Sequence, residues 1–258
     1  MAEPRRVRVI GIGTGHPDQL SAEAVAALRS VDYVLAASKR PDDPLLVVRR
    51  ALCDRYDVPL VAVSDPVRDR DDPADYPGAV RDWHEARVAA YEALLLERPG
   101  DVAFLVWGDP AFYDSTLRIV ERIRERGRVA LSLDVLPGVS SPQLLAARHR
   151  IVLHRVGEPV VLTTGRRLRR SIEAGHDNLV VMLDGRLACL DPATDASAWQ
   201  IWWGANLGTD EERLVSGRLD EVADELRAQR TEAERAAGWV MDTYLLRRVT
   251  AGPVPSKP

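Results

Sequence analysis

VIGIGTGHPDQLS, running from Val9 to Ser21, places Gly11, Gly13 and Gly15 in a turn directly behind a β-rich run, Arg6 to Ile12. Glycines at that point let the backbone bend tightly and approach another segment or a ligand. The spacing is not that of the dinucleotide fingerprint GxGxxG. Its third glycine would fall on His16, and Gly15 comes one residue early. Pro17 also stands where the phosphate-facing helix of that fingerprint should begin. Taken alone, the stretch reads equally well as a tight strand-to-helix turn.

Outward from this turn the chain alternates strands and helices. Ser21 to Ser30 is alanine- and leucine-rich, with Ser21 placed to cap a helix and Glu23 in its first turn. Tyr33 to Ala37 predicts a strand and Pro44 to Leu52 a helix with proline near its start. Ser64 to Pro77, rich in aspartate and proline, reads as an exposed loop. A helix from about Gly78 to Leu96, a strand Asp101 to Val106, a helix Ser115 to Arg126 and a strand Val129 to Leu136 follow. Such alternation predicts a mainly parallel sheet covered by helices.

The pattern changes at Arg148 to Glu158, which has the composition of a linker. Beyond it, Pro159 to Thr163 and Asn178 to Leu183 read as buried strands around a basic helix, Arg166 to Ala174. Gln200 to Ala205, Arg213 to Gly217 and Trp239 to Arg247 are further strands, and Leu219 to Arg227 a helix that can run on toward Ala237. Their short spacing suits hairpins and hence a mixed sheet. The expectation is an α/β protein of two lobes, 1–148 and 149–250, with a cleft between them and a disordered tail over 251–258.

Composition narrows the function classes. Hydrophobic residues make up 46% and charged residues 29% of 258, the balance of an ordinary globular chain. The net charge of −4 comes with no basic stripe, which argues against a nucleic-acid partner. Cys53 and Cys189 stand alone, without the spacing of a metal site or a disulfide framework, so no metal is expected. The charged N-terminus and the lack of a long apolar run predict no membrane span and a cytoplasmic location.

Two further motifs close strands. VWGDPAFYDST, Val106 to Thr116, and LPGVSSPQ, Leu136 to Gln143, each follow an apolar run. Either alone is a turn more readily than a site, and Ser140 and Ser141 are ordinary helix-capping residues. The order of the three is what carries information. A GxGxG–P turn, then a GDP turn, then a PG-V-S-S turn, each behind a strand, resembles the tetrapyrrole methylases. His16 and Ser21 stand where that family more often has aspartate and threonine.

That resemblance implies a two-lobed α/β homodimer binding S-adenosylmethionine. It implies cofactor contacts at Pro17, Gly108, Asp109, Pro110, Tyr113, Ser140, Ser141, Met182 and Ala205, although Met182 reads more simply as core. LAARHRIVLHRVGEPVVLTTGRR (Leu145 to Arg167), VVMLDG (Val180 to Gly185), WWGANLGTDEE (Trp202 to Glu212) and GWVMDTYLLRR (Gly238 to Arg248) resemble the deacetylating branch of the family. This implies precorrin-5 as substrate, methylation at its C-1 and loss of the C-1 acetyl group as acetate.

A substrate with many carboxylates calls for guanidinium forks. Arg166 and Arg167, at a strand end, are the expected carboxylate clamp; Arg169 and Arg170 continue the run, so a solvated helix face competes with that reading. Acetyl loss consumes water, and a base or oxyanion donor would help. Asp184 and His16 are the expected catalytic residues from their places beside the cofactor motifs, with Asp109, Tyr113 and Asp114 also at turns; the methylated ring can equally shed acetate unaided. Trp107, Trp202 and Trp203 can face the macrocycle or fill the core. The rival readings are another precorrin or uroporphyrinogen C-methyltransferase, a ribosomal RNA methylase, a non-catalytic binding module, and a nicotinamide-dependent reductase, for which the glycine spacing is wrong.

Overall fold

The computed structural model describes residues 3–38, 43–66 and 76–249. Most of the aspartate-rich loop, residues 67–75, and the tail 251–258 lie outside the described residues, as do Lys39 and Arg40. Packing divides the chain after Ser140 into two units.

The first unit runs β1 (Arg5–Gly11), α1 (Ala22–Arg29), β2 (Tyr33–Ser38), α2 (Pro44–Arg55), β3 (Leu60–Ser64), α3 (Tyr76–Glu97), β4 (Val102–Val106), α4 (Thr116–Arg126) and β5 (Leu131–Leu136). The five strands form one sheet in the order β3-β2-β4-β1-β5, every pair parallel. Strand β3 is an element that the sequence reading did not delimit. At the sheet edge its residues are half-buried or, at Ala62 and Ser64, exposed, so the run Leu60–Ser64 lacks a fully apolar signature.

Central β4 is buried throughout, as a parallel strand covered on both faces must be. On one face, Val7, Val9, Leu35 and Phe104 pack against Val88 and Leu95 of α3 and Ile119 and Ile123 of α4. On the other, Ile10, Ile12, Val34 and Leu105 pack against Leu28 of α1 and Leu52 and Cys53 of α2. Adjacent Val9 and Ile10 thus serve opposite faces, the two-residue period of a strand. Helix α1 is capped as expected, Ser21 Oγ accepting from the Ala24 amide at 3.0 Å. Helix α4 ends on Gly127 in the left-handed region, φ 67°.

The second unit runs α5 (Ser141–His149), β6 (Val161–Thr164), α6 (Gly165–Glu173), β7 (Asn178–Met182), β8 (Trp199–Ala205), β9 (Arg213–Arg218), α7 (Leu219–Ala237) and β10 (Asp242–Arg248). Its sheet has the order β6-β7-β10-β8-β9. Strands β6 and β7 are parallel, β8 and β9 form an antiparallel hairpin, and β10 lies antiparallel between β7 and β8. Strand β10 starts at Asp242, later than the Trp239 read from the sequence. The mainly parallel first sheet and the mixed second sheet are the architecture the alternation predicted. Trp199, Trp203 and Tyr244 are the bulkiest members of the second core, packed with Leu179, Ile201 and Leu226. Trp203 therefore fills the core, while Trp202 is half-buried under the Arg247 guanidinium, 5.2 Å above its ring. No helix among the described residues is long and apolar enough to cross a membrane.

Candidate functional site

In the first unit the three motif turns meet at the C-terminal edge of the sheet. Beyond β1, the Ile12 amide donates to the Val106 carbonyl at 2.9 Å, and Gly13 and Gly108 exchange backbone hydrogen bonds of 3.2 and 2.6 Å. A Cβ on Gly11 would stand 2.8 Å from the Gly108 carbonyl oxygen, and one on Gly138 2.8 Å from Gly11 Cα. Only glycine fits where three backbones touch, so the motif glycines are a packing requirement. Asp109 joins the second turn to the third: its Oδ2 accepts from the Gly138 amide at 3.0 Å and its Oδ1 from the Ala111 amide at 2.8 Å. This fixes Asp109 in the role of turn former.

The first turn is closed by a residue the sequence reading passed over. Gln19 Oε1 accepts from the Thr14 amide at 2.8 Å and from the Thr14 hydroxyl at 3.0 Å. His16 is exposed and caps the short helix Pro17–Gln19, its Nδ1 accepting from the Asp18 amide at 3.2 Å. Pro17 begins that helix, half-buried. Tyr113 lies on the same edge, 47% exposed and at φ 51°, a left-handed conformation a tyrosine rarely takes. Asp114 is spent on the α4 end, accepting from the Thr116 amide at 2.5 Å. Arg49 of α2 supports the strand that leads into GDP. Its Nε donates to the Leu105 carbonyl at 2.9 Å and its guanidinium lies 5.6 Å from the Trp107 ring. Burial lowers its pKa from the ordinary arginine range.

In the second unit β6, β7 and β8 run in one direction and end together at Thr164, Met182 and Ala205, where β10 begins. In register, Thr164 faces Met182, Met182 faces Thr243, and Thr243 faces Gly204, with Ala205 opposite Asp242. Ser141, at the start of α5, shares a 2.9 Å hydrogen bond with the Thr243 hydroxyl. The structure thus gathers the expected Ser141, Met182 and Ala205 around Thr243, which the sequence did not single out. Met182 is only partly buried, so the simple core reading does not exhaust it.

Arg166 and Arg167 are exposed in the first turn of α6, directly behind Thr164. A helix N-terminus disfavours cations, and no acidic residue stands in this turn to offset them. Arg169, by contrast, is paired with Glu173 at 2.8 Å on the solvated side.

Asp184 is buried behind Met182, and both its oxygens are engaged. Oδ1 accepts from the Arg186 amide at 3.1 Å, and Oδ2 from the Ala188 amide at 2.7 Å and the Tyr244 hydroxyl at 2.6 Å. Burial pushes the Tyr244 hydroxyl well above its ordinary range, so it stays a donor. The carboxylate also fills the space a Cβ on Gly165 would need, locking the α6 start against the loop after β7. Nearby, Asp242 Oδ2 receives the Trp203 Nε1 at 3.3 Å and the Arg230 Nε at 3.4 Å. Burial outweighs the Arg230 attraction and raises the Asp242 pKa from 3.8 to about 6. Arg230 also donates to the Gly185 carbonyl at 3.0 Å, a second tie on that loop.

The edge of the first unit offers backbone-lined turns and a half-exposed tyrosine ring; the edge of the second offers hydroxyls and exposed guanidinium groups. The model of the tetrapyrrole (corrin/porphyrin) methylases matches residues 6–223. A precorrin-6A synthase [deacetylating] of Sinorhizobium sp is 46% identical over 252 residues, 95% of each chain. A precorrin-2 C(20)-methyltransferase of Sinorhizobium sp is 31% identical over 52% of this chain and 54% of its own. Among solved structures, a protein described as related to cobalamin synthesis (CobF) from Corynebacterium diphtheriae superposes with TM-score 0.82 at 38% identity. That superposition covers 96% of this chain and 100% of the other.

Proposed function

The chain belongs to the tetrapyrrole (corrin/porphyrin) methylases, and on that premise we propose that it methylates C-1 of precorrin-5 and releases the C-1 acetyl group as acetate, giving precorrin-6A. The observation that carries this reading is the 46% identity to a deacetylating precorrin-6A synthase across 95% of both chains. S-adenosylmethionine, when bound, supplies a methyl group already activated on its sulfonium. What is left for the chain is to hold donor, ring carbon and sulfur in line and to keep water out.

Pro17, Gly108, Asp109, Pro110, Tyr113, Ser140, Ser141, Met182 and Ala205 hold the cofactor in this reading. The glycine interlock supports it, because turns pinned backbone to backbone cannot drift by the ångström that in-line transfer does not tolerate. Arg166 and Arg167 take substrate carboxylates, a role supported by their cost at a helix N-terminus. In acetyl loss, water adds to the acetyl carbonyl and its bond to C-1 breaks; the acetyl group leaves as acetate, water's protons pass to solvent, and the bonding electron pair stays on C-1, which uses it to take the sulfonium methyl. His16, exposed beside the first turn, is the better placed of the two expected assistants. Asp184 assists by fixing the loop behind Met182, since its oxygens already receive three donors. The enzyme works in the cytoplasm as a homodimer.

Incubation of the purified protein with precorrin-5 and S-adenosylmethionine tests the reading by mass spectrometry and NMR. Equal amounts of S-adenosylhomocysteine and acetate are expected. Methyl transfer without acetate keeps the family and rejects the deacetylating branch, and cofactor binding without any product points to a different tetrapyrrole.

A further inference from the structure

The loop after β7 holds an anomaly that neither the core nor the cofactor explains. Leu183 is 64% exposed and sits at φ 54°. A leucine in the left-handed region is strained, and exposure recovers nothing of that cost. The conformation is nonetheless imposed. Asp184 pins the loop from within through two amides and Tyr244, and Arg230 holds the Gly185 carbonyl. A buried network of this kind is built to present what lies outside it.

What lies outside is an apolar strip with a cationic border. Leu183 adjoins part-exposed Met182, and Met241, 42% exposed, precedes β10 on the same edge. Arg186, three residues beyond Leu183, is exposed and has no ion pair or side-chain hydrogen bond among the described residues. Arg167 is exposed and unpaired in the same sense, at the α6 start that Gly165 locks against this loop. Elsewhere in this unit exposed arginines are mostly neutralised, as Arg169, Arg218, Arg227 and Arg235 are by nearby carboxylates. The nearest acids on this edge, Asp184 and Asp242, are buried and occupied.

We propose that Leu183 and Arg186 are substrate-binding residues. Leu183 lies against the face of a carboxylate-rimmed macrocycle and Arg186 pairs with one of its carboxylates. The inference rests on the proposed function for the identity of the ligand, and it adds two residues that the sequence reading did not assign. A flat apolar ring system edged by carboxylates is the ligand that an apolar strip edged by free guanidiniums complements.

The test uses the full chain and an octacarboxylic porphyrin, uroporphyrin, as the probe, with affinity read by fluorescence quenching. Leu183→Asn keeps a residue that tolerates the left-handed conformation while removing the apolar surface. Arg186→Gln removes the charge, and Arg170→Gln on the solvated side of α6 serves as control. Each of the first two variants is expected to weaken porphyrin binding about tenfold. Neither should change S-adenosylmethionine affinity by calorimetry, and Leu183→Asn should melt no lower than the unmodified protein. No porphyrin binding by the unmodified chain, unchanged affinity in both variants, or an equal loss in Arg170→Gln overturns the proposal. Because the readout needs no turnover, failure to convert precorrin-5 would reject the proposed reaction and leave this result standing by itself.

Discussion

At the C-terminal edge of the first sheet Gly11, Gly108 and Gly138 meet with no side chain between them. At the corresponding edge of the second, Asp184, Tyr244, Asp242 and Arg230 carry the contacts. The first edge has no room for an added atom; the second is held by hydrogen bonds between side chains. The two edges should therefore respond to opposite kinds of substitution, and that contrast can be broken.

The largest effect is expected from Gly138→Ala. The new methyl would meet Gly11 Cα at 2.8 Å, with the Gly108 carbonyl closer still, and neither can move without opening the interlock. A loss of about 4 kcal/mol or more is expected, read as a urea midpoint or as failure to fold. A variant as stable as the unmodified protein would mean that the turns are not pinned to one another. Next comes Asp184→Asn, which changes no volume. One oxygen becomes a donor facing the donors it served, at a cost of about 3 kcal/mol. Tyr244→Phe should cost less, and the double variant less than the sum, because both changes strike one hydrogen bond.

This contrast also explains what could be read in the sequence. A backbone interlock is written in residue identity: Gly11 and Gly138 are visible because a side chain would strike backbone there, and Gly108 because its backbone is left-handed, at φ 62°. The parallel sheet followed from the same alternation. A side-chain network is written in no local pattern. Thr243 reaches Ser141 across 102 residues and Tyr244 reaches Asp184 across 60, so neither pairing leaves a spacing to notice. Gln19 was within reach, five residues from the Thr14 it braces, but a glutamine in a loop signals nothing until the loop's shape is known. Strand β3 escaped for another reason: at a half-buried edge its apolar content falls below what marks a core strand.

The Asp242 carboxyl sharpens the comparison through pH. Its pKa in the fold, about 6, lies above the ordinary 3.8, so the folded chain binds the extra proton between those values. Stability from this group is therefore present at the acid end and declines as pH rises from about 4 to about 6. Above that it stays level, with a total change on the order of 2 to 3 kcal/mol. Asp242→Asn should flatten this part of the profile when melting is compared between pH 4 and 8. An unchanged difference between the two proteins across that range would show that Arg230 compensates the buried charge fully.

The smallest effect separates the edge's architecture from its use. Thr243→Val keeps the shape and removes the hydroxyl that meets Ser141 at 2.9 Å. Stability should fall by only about 1 kcal/mol, the ordinary net worth of one hydrogen bond. If Ser141 holds the cofactor, freeing its hydroxyl should weaken S-adenosylmethionine binding a few-fold while uroporphyrin binding is unchanged, and Thr243→Ser should restore it. Equal losses for both ligands would instead show that Thr243 only packs the edge. Loss of porphyrin binding alone would move Ser141 out of the cofactor set and onto the macrocycle's side.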